Sequence, residues 1–285
     1  MSILYLDYNV VASSAGIPLQ PDGAAECSAM LSLKAQGDRF ALSAWTAFEL
    51  ARSQDALHIR QCCDFIEKLD PLWVGDARYI IDRETARFLV RRANHDTTSY
   101  LPAVRALHET IGQMWFTYGV HIAGAETFRT SVGELRSDPR YLQSIVGAAE
   151  DTPRAIVAAR RAQAEGRETR LQPVVDRYTF AKRLSCGLRD ERIDFLMTNQ
   201  AQLYKESPTM LAIEDALSGV RAHDSFVPKI SHAADFQHGL AALAYCDHFV
   251  TRDGQLAGHC RIVIRDLALP CQVHARVSGV AHTPA

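Results

Sequence analysis

A chain of 285 residues has room for one large domain or two of ordinary size. With 47% hydrophobic and 22% charged residues it suits a globular protein with a real core, and a formal charge of −2 excludes a global basic field, so any nucleic-acid binding needs a local patch. Seven cysteines, an odd number without a CxxC pair and with Cys62 beside Cys63, fit reduced buried thiols in the cytoplasm rather than a disulfide framework.

The opening MSILYLDYN has neither the basic start nor the long apolar run of a secretion signal. No apolar stretch reaches the roughly 18 residues of a membrane span, so no membrane partner is expected. Ile3-Leu4-Tyr5-Leu6 is a short apolar run ending in Asp7-Tyr8-Asn9, the pattern of a buried parallel strand with an acid at its carboxyl end. A Pro/Gly/Asp-containing loop leads to a helix near Ala24–Gln36, closed by Gly37. Phe40–Ser43 reads as a second strand running into the helix WTAFELARS, which Ser43 is placed to cap and which carries Glu49. A helix over Leu57–Leu69, a strand over Pro71–Val74 and a helix over Arg83–Arg92 follow. Strand and helix in alternation predict a doubly wound α/β core.

From about His95 to His223 the character changes. Long Ala- and Arg-rich amphipathic segments appear, strand signals vanish, and Pro102, Pro139, Pro153, Pro173 and Pro208 punctuate the run. The expected organisation is a core in two parts, 1–94 and 225–275, interrupted by an all-helical insertion over 95–224 and ending in a disordered tail from 276 to 285. A last strand is expected at Arg261–Arg265, and there is no internal repeat.

The late stretch DFQHGLAALAYCDHFVTRD holds the chemistry together. Phe236, Leu240, Leu243 and Ala244 make one helical stripe, and HFVT a short strand. Asp235 therefore opens a helix and Asp253 follows the next strand. In an open parallel sheet ligands bind beyond the carboxyl ends of the strands, where helices also begin, so both acids project to one edge. Asp7 and Glu49 occupy equivalent places. Four converging carboxylates repel one another, and a divalent cation relieves that repulsion; all-oxygen ligands suit Mg²⁺ or Mn²⁺ rather than zinc. Taken singly, Asp235 reads as a helix cap, Asp253 before Gly254 as a turn residue and Glu49 as a solvated helix residue. The joint pattern points to a metal site.

The pieces YLDYN, SAWTAFELA and DFQHGLAALAYCDHFVTRDGQL resemble PIN-domain or PIN-like nucleases, over roughly residues 1–90 and 226–267. The resemblance implies a PIN-like parallel sheet flanked by helices, from whose compact form the large insertion departs. It implies Asp7, Glu49, Asp235 and Asp253 as catalytic metal ligands for Mg²⁺ or Mn²⁺, with Asn9 and Thr251 in support. The implied activity is a metal-dependent ribonuclease in which metal-activated water cleaves RNA to 5′-phosphate and 3′-hydroxyl ends. An antitoxin or a homo-oligomer is an implied partner. Two rivals stand beside it: a catalytically silent PIN-like module that binds RNA or protein, and a haloacid-dehalogenase-type phosphatase using Asp7. The latter needs an aspartate where Asn9 stands.

Other residues read as structural. Asp247 precedes the late strand and suits a turn or cap on the opposite edge. His238 lies one turn from Asp235 and suits packing, or a role orienting that acid. Cys260, Cys271 and His274 are a poor match to zinc. Arg154, Arg160, Arg161, Arg167, Arg170, Arg177, Lys182, Arg183, Arg189 and Arg192 are interleaved with acids, which suits an ion-paired helix face better than an RNA grip. Trp115, Phe116 and Tyr118 suit core packing better than base stacking.

Overall fold

The computed structural model describes residues 1–15, 22–77, 127–138, 198–206, 210–221 and 231–280, with residues 80, 81, 84, 88, 104, 105, 140, 143, 165, 194 and 195. Its centre is a sheet of five parallel strands: β1 (Ile3–Leu6), β2 (Arg39–Ser43), β3 (Leu72–Val74), β5 (His248–Val250) and β6 (Gln272–His274). A two-residue strand, β4 (Val104–Arg105), runs antiparallel along one edge, giving the order β4-β3-β2-β1-β5-β6. The first strand in the chain is thus central, paired with β2 on one side and β5 on the other. The protein is α/β with a parallel central sheet.

Alternation along the strands divides the interior into two layers. Leu4, Leu6, Phe40, Leu42, Trp73 and Val250 face one layer, and Tyr5, Ala41, Val74 and Phe249 the other. Helices α1 (Tyr8–Ser14), α2 (Gly23–Ala35), α3 (Ala44–Ala51), α4 (Ala56–Leu69) and α5 (Phe128–Ser137) contribute to the first layer. Helices α6 (Gln200–Glu206), α7 (Met210–Arg221), α8 (His232–Tyr245) and α9 (Gly254–Leu267) contribute to the second. Covered on both faces, the strands are apolar almost throughout, which is why they read as continuous runs.

Gly23 opens α2 where it crosses α1. A Cβ built there would stand 2.2 Å from the carbonyl oxygen of Ser13. Gly23→Ala must therefore push the two helices apart, with an expected loss of about 1–3 kcal/mol. A fall in the urea midpoint at unchanged slope would show it.

Several expectations are corrected. Arg261–Arg265 is not a strand but the last part of α9. The run Ile262-Val263-Ile264 is β-branched and mimics a strand, yet Leu256, Ala257, Cys260 and Val263 form the buried stripe of a helix capped by Asp253. The sixth strand comes later, at Gln272–His274. The segment 95–224 is not all-helical, because β4 lies in it; a two-residue strand has too few positions to leave a periodic signal. The described helices of that segment pack into the core, with Val132 and Leu135 of α5 in one layer and Ile213 and Leu217 of α7 in the other.

Residues 276–280, expected in the disordered tail, form a 3₁₀ turn at Val277–Gly279. The buried Val277 donates its N–H to Glu26 at 2.7 Å, and Arg276 pairs with Asp22 at 2.7 Å. Ser43 precedes α3 but does not cap it: its hydroxyl oxygen is engaged by Tyr5 instead. Most of the expected helix at Arg83–Arg92, the ten basic residues from Arg154 to Arg192 and the Trp115–Tyr118 cluster lie outside the described residues.

Candidate metal centre

Parallel pairing decides which side chains meet. β1 and β5 run in register, Leu6 beside Val250, so the next residues, Asp7 and Thr251, leave the sheet side by side. Thr251 donates its hydroxyl to Oδ2 of Asp7 at 2.6 Å and accepts the backbone N–H of Asp253 at 3.1 Å. Asn9 donates to the same Oδ2 at 2.7 Å and accepts the N–H of Arg252 at 3.1 Å. Both Asn9 and Thr251 thus fix the carboxylate of Asp7 and tie it to the turn that carries Asp253. Burial raises the pKa of Asp7 against the opposing pull of His238 and Thr251.

Glu49 arrives from α3, the helix that β2 feeds at the same edge. Its Oε2 lies 2.7 Å from Nε2 of His238, and Oδ1 of Asp7 lies 4.0 Å from that same nitrogen. His238 is fully buried. The other ring nitrogen, Nδ1, meets the hydroxyl of Tyr5 at 2.7 Å, and Tyr5 donates its proton to Oγ of Ser43 at 2.7 Å. Burial holds the Tyr5 hydroxyl well above its usual pKa, so it stays protonated. Burial would lower the pKa of His238, but Glu49, Asp7 and Asp235 outweigh it and the value is raised. His238 was expected to pack, or to orient Asp235; it is packed, against Tyr5, and there its Nε2 meets Glu49 and lies near Asp7.

Asp235 lies in the first turn of α8, three residues in from its start rather than at the cap. Burial first, then the charges of Asp7, Asp253 and Glu49, push its pKa up to about 7. Asp253 is the N-cap of α9, with Oδ1 accepting the N–H of Leu256 at 2.7 Å. The four acids therefore gather at one edge of the sheet and feel one another's charge.

A residue not anticipated at the site comes from α7. Arg221 is buried, donates Nη1 to the carbonyl of His232 at 2.6 Å and sets its guanidinium 4.9 Å from the centre of the Phe236 ring. Those contacts seat it on the turn that bears Asp235. Burial pulls its pKa down to about 10, opposed by Asp235, Cys260 and Asp253. No motif flagged it, since α7 lies in the segment expected to be separate from the core.

Among the described residues, the ligand atoms of Asp7, Glu49 and His238 lie within 4.8 Å of one another, a group able to hold a metal ion. Cys260, Cys271 and His274 do not form such a group. His274 faces His248 instead, nitrogen to nitrogen at 3.2 Å. Asp247 sits at the opposite end of β5, where Oδ2 accepts the N–H of Ile3 at 2.8 Å. No helix of the described residues is long and apolar enough to cross a membrane. In comparisons with known proteins, no family model, no curated protein and no solved structure matches the chain.

Proposed function

We propose that this chain is a metal-dependent nuclease of PIN-like architecture, acting on RNA through a site built from Asp7, Glu49, Asp235 and Asp253. One observation carries the reading: four acids gather at the carboxyl edge of a parallel sheet, where burial first, and then the charges of Asp7, Asp253 and Glu49, push the pKa of Asp235 up to about 7. Carboxylates gathered so, one buried and three half-buried, fit a divalent cation, the ligand that relieves their repulsion without consuming protons. Bound there, Mg²⁺ or Mn²⁺ supplies Lewis-acid polarisation of a phosphodiester and lowers the pKa of water.

The chain's own residues do the rest. Thr251 and Asn9 hold one oxygen of Asp7, so that its other oxygen is directed toward Glu49 and His238. Tyr5 and Ser43 hold His238 from behind. Arg221 places a positive charge against the Asp235 turn, where it offsets part of the repulsion and would counter charge on a bound phosphate.

The test is incubation of the purified chain with single-stranded and structured RNA and DNA, in Mg²⁺, Mn²⁺ or EDTA. Cleavage that needs the metal and leaves 5′-phosphate ends is expected. A folded protein that binds RNA but cuts nothing in either metal overturns the reading in favour of a binding module.

A further inference from the structure

We infer that His238 is a metal ligand, so that the cation site is a mixed nitrogen–oxygen site selecting a first-row transition ion such as Mn²⁺ over Mg²⁺. The inference rests on the reading that this cluster holds a divalent cation, and it changes which cation that is.

Distance supports it first. An ion with ligand bonds of about 2.1 Å sets neighbouring ligand atoms about 3.0 Å apart and opposite ones about 4.2 Å apart. Nε2 of His238 lies 2.7 Å from Oε2 of Glu49 and 4.0 Å from Oδ1 of Asp7, and one ligand atom from each of the three residues falls within 4.8 Å of the others. The 2.7 Å pair is near the spacing of neighbouring ligands and the 4.0 Å pair near that of opposite ones.

Hydrogen bonding behind the ring supports it independently. Tyr5 has one hydroxyl proton, and it points to Ser43. The tyrosine oxygen at 2.7 Å from Nδ1 must then accept, so Nδ1 carries a hydrogen. That assigns Nε2 as the nitrogen that faces the carboxylates. A histidine that ligates a metal commonly donates its other N–H in this way, which fixes both tautomer and ring direction. A cation entering the site replaces the proton that Nε2 shares with Glu49.

Chemistry then sets the preference. Mg²⁺ is hard, takes oxygen ligands and gives up its waters reluctantly, whereas a first-row transition ion accepts an imidazole nitrogen more readily, Mn²⁺ the least of that series and the later ions more so. An all-carboxylate site would discriminate less.

The experiment is direct metal binding by calorimetry on the full chain, with electron spin-echo spectroscopy of the Mn²⁺-loaded protein. Expected are about tenfold or tighter binding of Mn²⁺ than Mg²⁺ and a nitrogen hyperfine coupling in the wild-type spectrum. His238→Gln keeps an amide donor for Glu49 but removes the imidazole. It should weaken Mn²⁺ binding by about 10–100-fold and change Mg²⁺ binding far less. Equal affinities for the two ions, no nitrogen coupling, or a folded His238→Gln with wild-type Mn²⁺ affinity would overturn the assignment. Should the variant fail to fold, the wild-type spectrum decides alone. Tight Mn²⁺ binding with nitrogen coupling but no cleavage would uphold the ligand assignment while overturning the nuclease reading.

Discussion

Asp7→Asn is expected to remove phosphodiester cleavage by on the order of a thousandfold or more while leaving the protein folded. The amide keeps the shape of the carboxylate, and its oxygen can still accept from Thr251 and Asn9, which hold that side at 2.6 and 2.7 Å. What it loses is the charge on the oxygen turned toward Glu49 and His238. Stability should not fall, because burial already disfavours the ionised form of Asp7. Cleavage rate and thermal midpoint, measured side by side in EDTA and in Mn²⁺, separate the two properties. A variant that cuts at the wild-type rate removes Asp7 from the chemistry.

The second large effect is in the metal-free protein and depends on pH. Asp235 ionises at about 7 when folded and near the usual aspartate value when unfolded. Between those limits the folded state binds more protons, so stability falls as pH rises from about 4 to about 7. His238 pushes the same way. Its folded pKa is raised, so the stability it contributes is present below the ordinary histidine value and lost as pH rises through the folded one.

Asp235→Asn cannot ionise and should escape the loss. A shift of this size corresponds to at most about 4 kcal/mol, less in practice because neighbouring acids share the proton. In EDTA at pH 8 the variant should therefore melt above wild type, and the gap should close at pH 5. Adding Mn²⁺ at pH 8 should restore the wild type and help the variant much less. Melting curves that do not move with pH in EDTA would mean that the acids are not crowded.

That the four acids gather at one sheet edge was legible in the sequence because the patterns that place them are local. An acid directly after an apolar strand is a short pattern, the polar residue two positions on and the Thr-x-Asp turn came with the family resemblance, and strand pairing brings them together. His238 was placed correctly on its helix but not in its role. A buried histidine among Leu240, Ala241 and Leu243 reads as packing, and its partner Glu49 is 189 positions away. Arg221 was missed for a related reason. Its helix follows a long Ala- and Arg-rich run, and composition gave no sign that α7 returns to cover the sheet beside α8.

The errors in the fold have similar sources. Ile262-Val263-Ile264 carries strand-like residue types on a helix whose register is fixed elsewhere, by Asp253 at its start and Cys260 and Val263 on its buried face. Ser43 has the right side chain and position for a cap, but Tyr5, across the sheet, takes its oxygen. Local preference yields to contacts that only the assembled sheet creates.

The central place of β1 has a consequence for how the protein is made. Its partner β5 and the threonine that steadies Asp7 lie 244 positions downstream. During synthesis Asp7 and Glu49 leave the ribosome early, on a sheet with one side of its middle strand unpaired. Asp235, His238 and Asp253 arrive only with the last fraction of the chain, and until β5 docks the cluster of acids is incomplete. A contact of such sequence separation is slow to form and costly in loop entropy. A product stopped just before β5 carries Asp7, Glu49 and Asp235 but lacks Thr251 and Asp253, so the acidic cluster is completed only after translation has passed that point.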